Sequence, residues 1–169
     1  LRELGFGGRV LLIDREAGAG YDRTVLSKFV IAGETPPEEI PALRDDDFYR
    51  EQRIERINAE VTSLDCANHT LQLSDGQSLQ YDAALLATGG APKQLELPGA
   101  DLPQVFVLRS RAHAQQILES ARPGQHAVII GDSFIAMESA SALRQFGLEV
   151  TVLARQPVPF AKQFGETVG

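Results

Sequence analysis

The stretch Ala127–Arg155 reads AVIIGDSFIAMESASALRQFGLEVTVLAR. Its first four residues, Ala127 to Ile130, are apolar, rich in β-branched side chains and too few for a helix, so they predict a buried strand. Gly131 ends that strand and Ser133 is a helix-capping residue. The helix that follows is expected to run to Phe146, with Phe134, Ile135, Met137, Leu143 and Phe146 apolar and Glu138, Arg144 and Gln145 polar. Gly147 is placed to stop it, and Val150 to Leu153 predicts a second strand. Strand, glycine turn, helix and strand make the first half of a dinucleotide-binding unit. The turn reads Gly131-x-Ser133-x-x-Ala136, where the usual pattern has three glycines. Gly131 permits the tight turn, Ser133 lets the backbone come near a pyrophosphate, and Ala136 lets helix and strand pack closely. Amide N–H groups and the positive helix end would then face phosphate. The turn alone fits equally well a βαβ corner that binds nothing.

The chain has 169 residues, 43% hydrophobic and 23% charged, which suits a globular protein of one domain or two small halves. A net charge of −7 argues against nucleic acid and against an anionic membrane surface as the main partner. No apolar run approaches the length of a membrane span, and a cytoplasmic location is expected. No signal peptide is visible, although the chain opens inside what reads as a helix, so an upstream leader stays open. Cys66 is the one cysteine, which rules out an intrachain disulfide and a cysteine metal cluster. His69, His113 and His126 lack ligand spacing, and no metal site is expected.

Leu1 to Leu4 reads as a helix end closed by Gly5 to Gly8. Arg9 to Ile13 predicts a buried strand, with Asp14, Arg15 and Glu16 at its carboxyl end. An acid there is where a parallel sheet holds ribose hydroxyls, although by position alone Glu16 is equally a solvated loop acid. Tyr21 to Lys28 carries a tyrosine and two cations, and Phe29 to Ala32 continue a helical patch that Gly33 ends. Glu34 to Pro41, with three prolines, reads as a loop. Asp45 to Asp47 predicts a helix N-terminus leading into Phe48 to Arg53. Ala59 to Leu64, Thr70 to Leu73 and Ser78 to Tyr81 have period two, with turns at Asn68 and Asp75-Gly76, and predict an antiparallel meander. Ala83 to Ala87 reads as another buried strand, Ala91 to Pro103 as a linker, Val105 to Leu108 as a short strand and Arg111 to Ala121 as a helix.

Several segments in this order resemble the FAD-dependent pyridine nucleotide oxidoreductases with two dinucleotide domains. The similarity is greatest to the ferredoxin reductase, rubredoxin reductase and apoptosis-inducing-factor-like branch. They are LLIDRE (11–16), YDRTVLSK (21–28), DGQSLQYDAALLATGG (75–90), GDSFIAMESASALRQFG (131–147), VTVLAR (150–155) and VPFAKQFGETVG (158–169). The last looks most like members coupled to a Rieske iron–sulfur domain.

The resemblance implies an α/β fold of two dinucleotide-binding, Rossmann-like half-domains with an antiparallel β-meander, both half-domains incomplete. Residues 1–103, including the meander at 59–81, would be part of an FAD-binding domain, and 104–169 the first part of an NAD(P)-binding domain. Glu16 would bind the adenosine ribose of FAD. Arg23 and Lys28 would approach the flavin and its phosphates, and the Val61 backbone would meet the adenine. Ala87, Thr88 and Gly89 would pass near the pyrophosphate, with Lys93 where relatives carry arginine. Gly131, Ser133, Ile135 and Ala136 would form the NAD(P)H turn. Glu138 would reach toward the nicotinamide and flavin rings, paired with Lys28; a pair that only locks the fold is the alternative role. Ala154, followed by Arg155, stands where NADH-preferring members carry an acid, which puts NADH preference in doubt.

The family's first FAD strand and glycine turn would precede Leu1 and further domains would follow Gly169. An internal fragment that holds FAD weakly and forms homodimers or swapped assemblies is therefore expected. Redox cysteine pairs of related disulfide reductases have no counterpart in the segments compared. Electrons would therefore go from flavin to an external iron–sulfur acceptor of the ferredoxin, rubredoxin or Rieske type. A nucleotide-binding sensor or scaffold without turnover is the alternative that the degenerate turn favours.

Overall fold

The computed structural model describes residues 1–168; Gly169, the last residue of the segment compared at 158–169, lies outside them. The chain divides into two compact units, Leu1–Tyr21 with Ala42–Gly89, and Asp22–Pro41 with the chain from Gly90 onward. It leaves the first unit after Tyr21 and returns at Ala42, and an antiparallel bridge between those two residues closes the excursion.

In the first unit, β1 (Val10–Asp14) pairs in parallel with β2 (Ile54–Asn58), Val10 opposite Ile54 and Asp14 opposite Asn58. Between them lies the short helix α1 (Asp46–Glu51), capped by Asp45, whose carboxylate accepts the Phe48 N–H. The acidic run thus opens a helix, as its charge pattern predicts. The meander is β3 (Val61–Asp65), β4 (Thr70–Leu73) and β5 (Ser78–Gln80), antiparallel in that order. Gly76 sits at φ +87 in its second turn, a conformation that suits glycine there.

Two expectations need correction in this unit, and one strand stands where no sequence pattern announces it. β1 is half-buried rather than buried, with Leu12 45% exposed, because no layer covers its outer face among the described residues. The segment Ile54 to Asn58, IERIN, forms a strand although it lacks a period-two pattern; pairing along β1, not side-chain alternation, decides it. Ala83 to Ala87 forms no strand, and Leu85 is 92% exposed. A strand exists only where a neighbour completes its ladder, and none of the described strands pairs with this segment.

In the second unit, β6 (His126–Ile130) pairs in parallel with β7 (Glu149–Leu153), Ile130 opposite Leu153. Helix α3 (Phe134–Gln145) connects them and packs on both. Its buried residues are Ala136, Ser139, Ala142 and Leu143, while Phe134 and Ile135 are half exposed. Three of these four are small, and Leu143 is the one large apolar residue of the helix that is buried, since a helix lying close on a sheet leaves little room for more. β6 is only half-buried, at Ala127 and Ile129, and Val128 and Ile130 stay open, against the expected fully buried strand. Helix α2 (Arg111–Ser120) is capped by Ser110, whereas Val105 to Leu108, expected as a short strand, is irregular because no described strand pairs with it.

The excursion 22–41 packs against α2 and α3. Its centre is a 3-10 turn at Arg23–Val25 that passes into one π-helical turn at Leu26–Val30. Leu26, Val30, Ile31 and Ile40 from the excursion, with Ala114, Ala142 and Leu143 from the helices, are among the buried apolar residues of this unit. A last short helix, α4 (Ala161–Phe164), brings Phe160 and Phe164 against Phe134 in a cluster of three rings, with Phe134 and Phe160 centroids 4.8 Å apart. No helix among the described residues is long and apolar enough to cross a membrane.

Candidate functional site

The glycine turn after β6 has the conformation its sequence requires. Gly131 sits at φ +140, where a side chain is strained, and a Cβ there would lie 3.4 Å from Cβ of Ala136. Ala136, at the third position of the motif, thus packs close to the turn. Ser133 caps α3, its hydroxyl accepting the Ala136 N–H at 3.4 Å. The N–H groups of Phe134 and Ile135, as first-turn amides, have no acceptor within the helix. Donors at a positive helix end, above a turn without a side chain, fit a pyrophosphate. Gly131 N–H donates to Leu153 O at 3.0 Å, which sets the end of β7 beside the turn. Asp132 Oδ2 accepts the Gln156 N–H at 3.2 Å and ties the residues after β7 to the same turn. Arg155, between them, is exposed.

Lys28 and Glu138, 110 positions apart, meet within this unit: Lys28 Nζ lies 3.7 Å from Glu138 Oε1. The other carboxylate oxygen, Oε2, accepts a hydrogen bond of 2.6 Å from the Ser27 hydroxyl. The π-helical turn presents Ser27 and Lys28 to α3 together, and Glu138 lies one turn into that helix from the Gly131 loop. Lys28 and Glu138 remain partly solvated, at 43% and 32% side-chain exposure, while Ser27 is buried. One polar face of α3 therefore carries an oriented carboxylate with a partly solvated cation beside it. Sequence reasoning passed over Ser27, because nothing near it in the chain signals a partner 111 positions downstream. It also missed Asp132, whose partner lies on the far side of α3.

Arg23 donates to the Arg109 carbonyl at 2.9 Å. Asp22 accepts the Thr24 N–H at 2.8 Å and caps the turn. That bond, with a smaller contribution from the Lys28 charge, holds the Asp22 carboxyl below the usual aspartate value. Lys93 stands apart from the Lys28–Glu138 pair in the contacts it makes. It lines a cavity of about 150 Å³ with Leu95, Val105, His113 and Gln116, between the linker and α2.

In the first unit, Glu16 follows β1, and its Oε1 accepts a 2.5 Å hydrogen bond from the Tyr21 hydroxyl. Its backbone N–H donates to Asp14 Oδ1. A carboxylate at the carboxyl end of a parallel strand stands where such sheets hold a ribose diol, so the residue type present fits an adenosine group. Val61 opens β3 and is 40% exposed. Ala87, Thr88 and Gly89 are exposed and irregular, with Gly89 at φ +68.

Comparison with known proteins agrees with this layout. Residues 1–169 match the pyridine nucleotide-disulphide oxidoreductase family, and the chain belongs to it. The ferredoxin–NAD(+) reductase component of the biphenyl dioxygenase system of Paraburkholderia xenovorans is 36% identical over 170 aligned positions, which take in 100% of this chain and 41% of that protein. Among solved structures, a ferredoxin reductase from Rhodopseudomonas palustris superimposes with a TM-score of 0.87 at 32% identity, over 95% of this chain and 40% of that one. The covalent complex of putidaredoxin reductase with putidaredoxin gives a TM-score of 0.83 at 27% identity, over 95% and 39% of the respective chains. The chain thus spans about two fifths of the length of these relatives. The family binds FAD and NAD(P)H, and the α/β architecture expected of it is the one observed.

Proposed function

We propose that this chain is the nucleotide-binding portion of an FAD-dependent NAD(P)H oxidoreductase that passes electrons to an iron–sulfur protein. The observation that carries the proposal is the Ser27–Glu138–Lys28 cluster on the helix that begins at the Gly131 turn. Residues 1–103 are assigned to an FAD-binding domain and 104–169 to an NAD(P)-binding domain. Glu16, Arg23, Lys28, Val61, Ala87 to Gly89 and Lys93 are the residues assigned to FAD. Gly131, Ser133, Ile135, Ala136 and Arg155 are assigned to the coenzyme.

Bound flavin would supply the chemistry of accepting a hydride and releasing electrons. The chain's own residues bind and orient. Gly131 and the first amides of α3 would hold the coenzyme pyrophosphate. Ser27 fixes the Glu138 carboxylate in one orientation and leaves Oε1 to Lys28. Glu138 then holds the Lys28 ammonium beside it, a positive charge that would stabilise the negative charge of a reduced flavin bound there. The biphenyl-system relative is named for a ferredoxin and the putidaredoxin reductase complex for its redox partner. A partner of that kind, an iron–sulfur carrier, is proposed here as well, and a cytoplasmic location goes with it.

In the intact flavoprotein, Glu138→Ala is expected to slow anaerobic reduction by NAD(P)H about tenfold or more, with FAD content unchanged. Rapid-mixing absorbance and flavin quantification check this. An unchanged reduction rate would make the cluster a lock for the fold. A second reading, a nucleotide-binding scaffold without turnover, is favoured by Ser133 and Ala136 in place of glycines. Steady reduction of an acceptor dye by the wild-type protein decides against it.

A further inference from the structure

In a βαβ nucleotide site the adenosine ribose of the coenzyme lies just beyond the carboxyl end of the second strand. An acid there accepts hydrogen bonds from the two ribose hydroxyls and repels a 2′-phosphate, whereas an arginine accommodates that phosphate. In this chain the strand is β7. It ends at Leu153, and Ala154, Arg155 and Gln156 follow. Ala154 offers neither an acceptor for the hydroxyls nor a charge against phosphate. Arg155 is exposed, and its guanidinium makes no hydrogen bond or ion pair among the described residues. Its five donors and full charge are therefore open to a ligand, and their planar fork matches phosphate oxygens.

The corner is also held in place. Ile130 pairs with Leu153, and Gly131 N–H donates to Leu153 O, so the end of β7 adjoins the phosphate turn. Asp132 Oδ2 accepts the Gln156 N–H and anchors the far side of Arg155 to that turn. Asp132 brings a negative charge to this corner, and its bond to the backbone gives that carboxylate a structural task.

Resting on the dinucleotide-site reading above, we propose that the coenzyme of this protein is NADPH, with its 2′-phosphate on the Arg155 guanidinium and Asp132 as the positioning residue for the segment that carries it. Arg155 selects the coenzyme, and Ala154 removes the barrier against the extra phosphate. The biphenyl-system relative, by contrast, is named for NAD(+).

The test uses two fragments of the coenzyme, 2′,5′-ADP and 5′-AMP, titrated calorimetrically into the full-length flavoprotein. They differ by the 2′-phosphate alone. Wild type is expected to bind 2′,5′-ADP about tenfold more tightly or better. Arg155→Ala should bring the two affinities together by weakening 2′,5′-ADP and leaving 5′-AMP as it was, and Arg155→Lys should keep part of the difference. Ala154→Asp should reverse the order. Asp132→Ala should narrow the difference; a wider one would show that its carboxylate repels the phosphate and would overturn its positioning role. Equal affinities in the wild type, or a preference that survives Arg155→Ala, overturns the assignment of Arg155. If neither fragment binds, the dinucleotide-site reading itself fails and takes this proposal with it, an outcome distinct from equal binding.

Discussion

Ser27 shows how much one hydroxyl can determine. Without it, the Glu138 carboxylate would be free to rotate, and the 3.7 Å contact with Lys28 at this degree of exposure would be worth at most about 1 kcal/mol. The Ser27 bond, made by a buried donor to a charged acceptor, is the stronger constraint. Asp22 sets the entry to the same segment and gives it a pH dependence. Folding lowers the Asp22 pKa, chiefly through the Thr24 N–H. The cap therefore contributes in full above the ordinary aspartate value and fades as the pH falls through the lower, folded value. The Thr24 amide resonance should titrate with a midpoint below that of an unstructured aspartate, and Asp22→Asn should abolish the titration. A midpoint at or above the ordinary value would mean that the cap is absent in solution.

At the scale of elements, α3 joins the Gly131 turn to the Ser27–Glu138–Lys28 cluster within the second unit. Its first turn faces the phosphate position, its second carries Glu138, and its small residues let it lie close to β6 and β7. Two substitutions at its start act through different physics. Ser133→Ala removes the cap and should cost about 1 kcal/mol. Gly131→Ala leaves an ordinary contact to Ala136 but forces a side chain to φ +140, and should cost about 1–3 kcal/mol. Urea unfolding of the two variants should rank them in that order. A Gly131→Ala protein as stable as wild type would show that the turn relaxes to another conformation. The π-helical turn at Leu26–Val30 is the other element that matters, because it brings Ser27 and Lys28 to α3 together.

At the scale of the whole molecule, unpaired strand edges and open apolar surface predict association. The sheets β1–β2 and β6–β7 each have two strands, so each leaves outer edges without ladder partners among the described residues. Leu85 and Leu86 are 92% and 70% exposed, and Val128 and Ile130 of β6 stand open. The net charge of −7 opposes self-association only at long range and is screened at physiological salt. The isolated chain is expected to form dimers or larger species at micromolar concentration, and the double variant Leu85→Lys, Leu86→Lys to shift it toward monomer. Light scattering after size-exclusion chromatography measures both. A monomeric wild type at high concentration would contradict the prediction.

Local features were legible in the sequence because their causes are local. The Gly131 turn, the Ser133 and Asp45 caps and the glycine of the β4–β5 turn are each set by one or two residues and their own backbone, and all stand where the residue types place them. The order of the short motifs was enough for the family. Features whose cause lies elsewhere in the chain were not legible. Ile54 to Asn58 becomes a strand because β1 lies beside it, and Ala83 to Ala87 does not because no described strand pairs with it, although the second is the more apolar of the two. The preponderance of small residues on the buried face of α3 comes from how closely the sheet approaches, which periodicity does not record. By itself, the sequence determined the turn, the caps and the kind of protein. Only the tertiary structure joined Ser27 to Glu138 and Asp132 to Gln156, because a hydrogen bond across 111 or 24 positions depends on where packing places both ends.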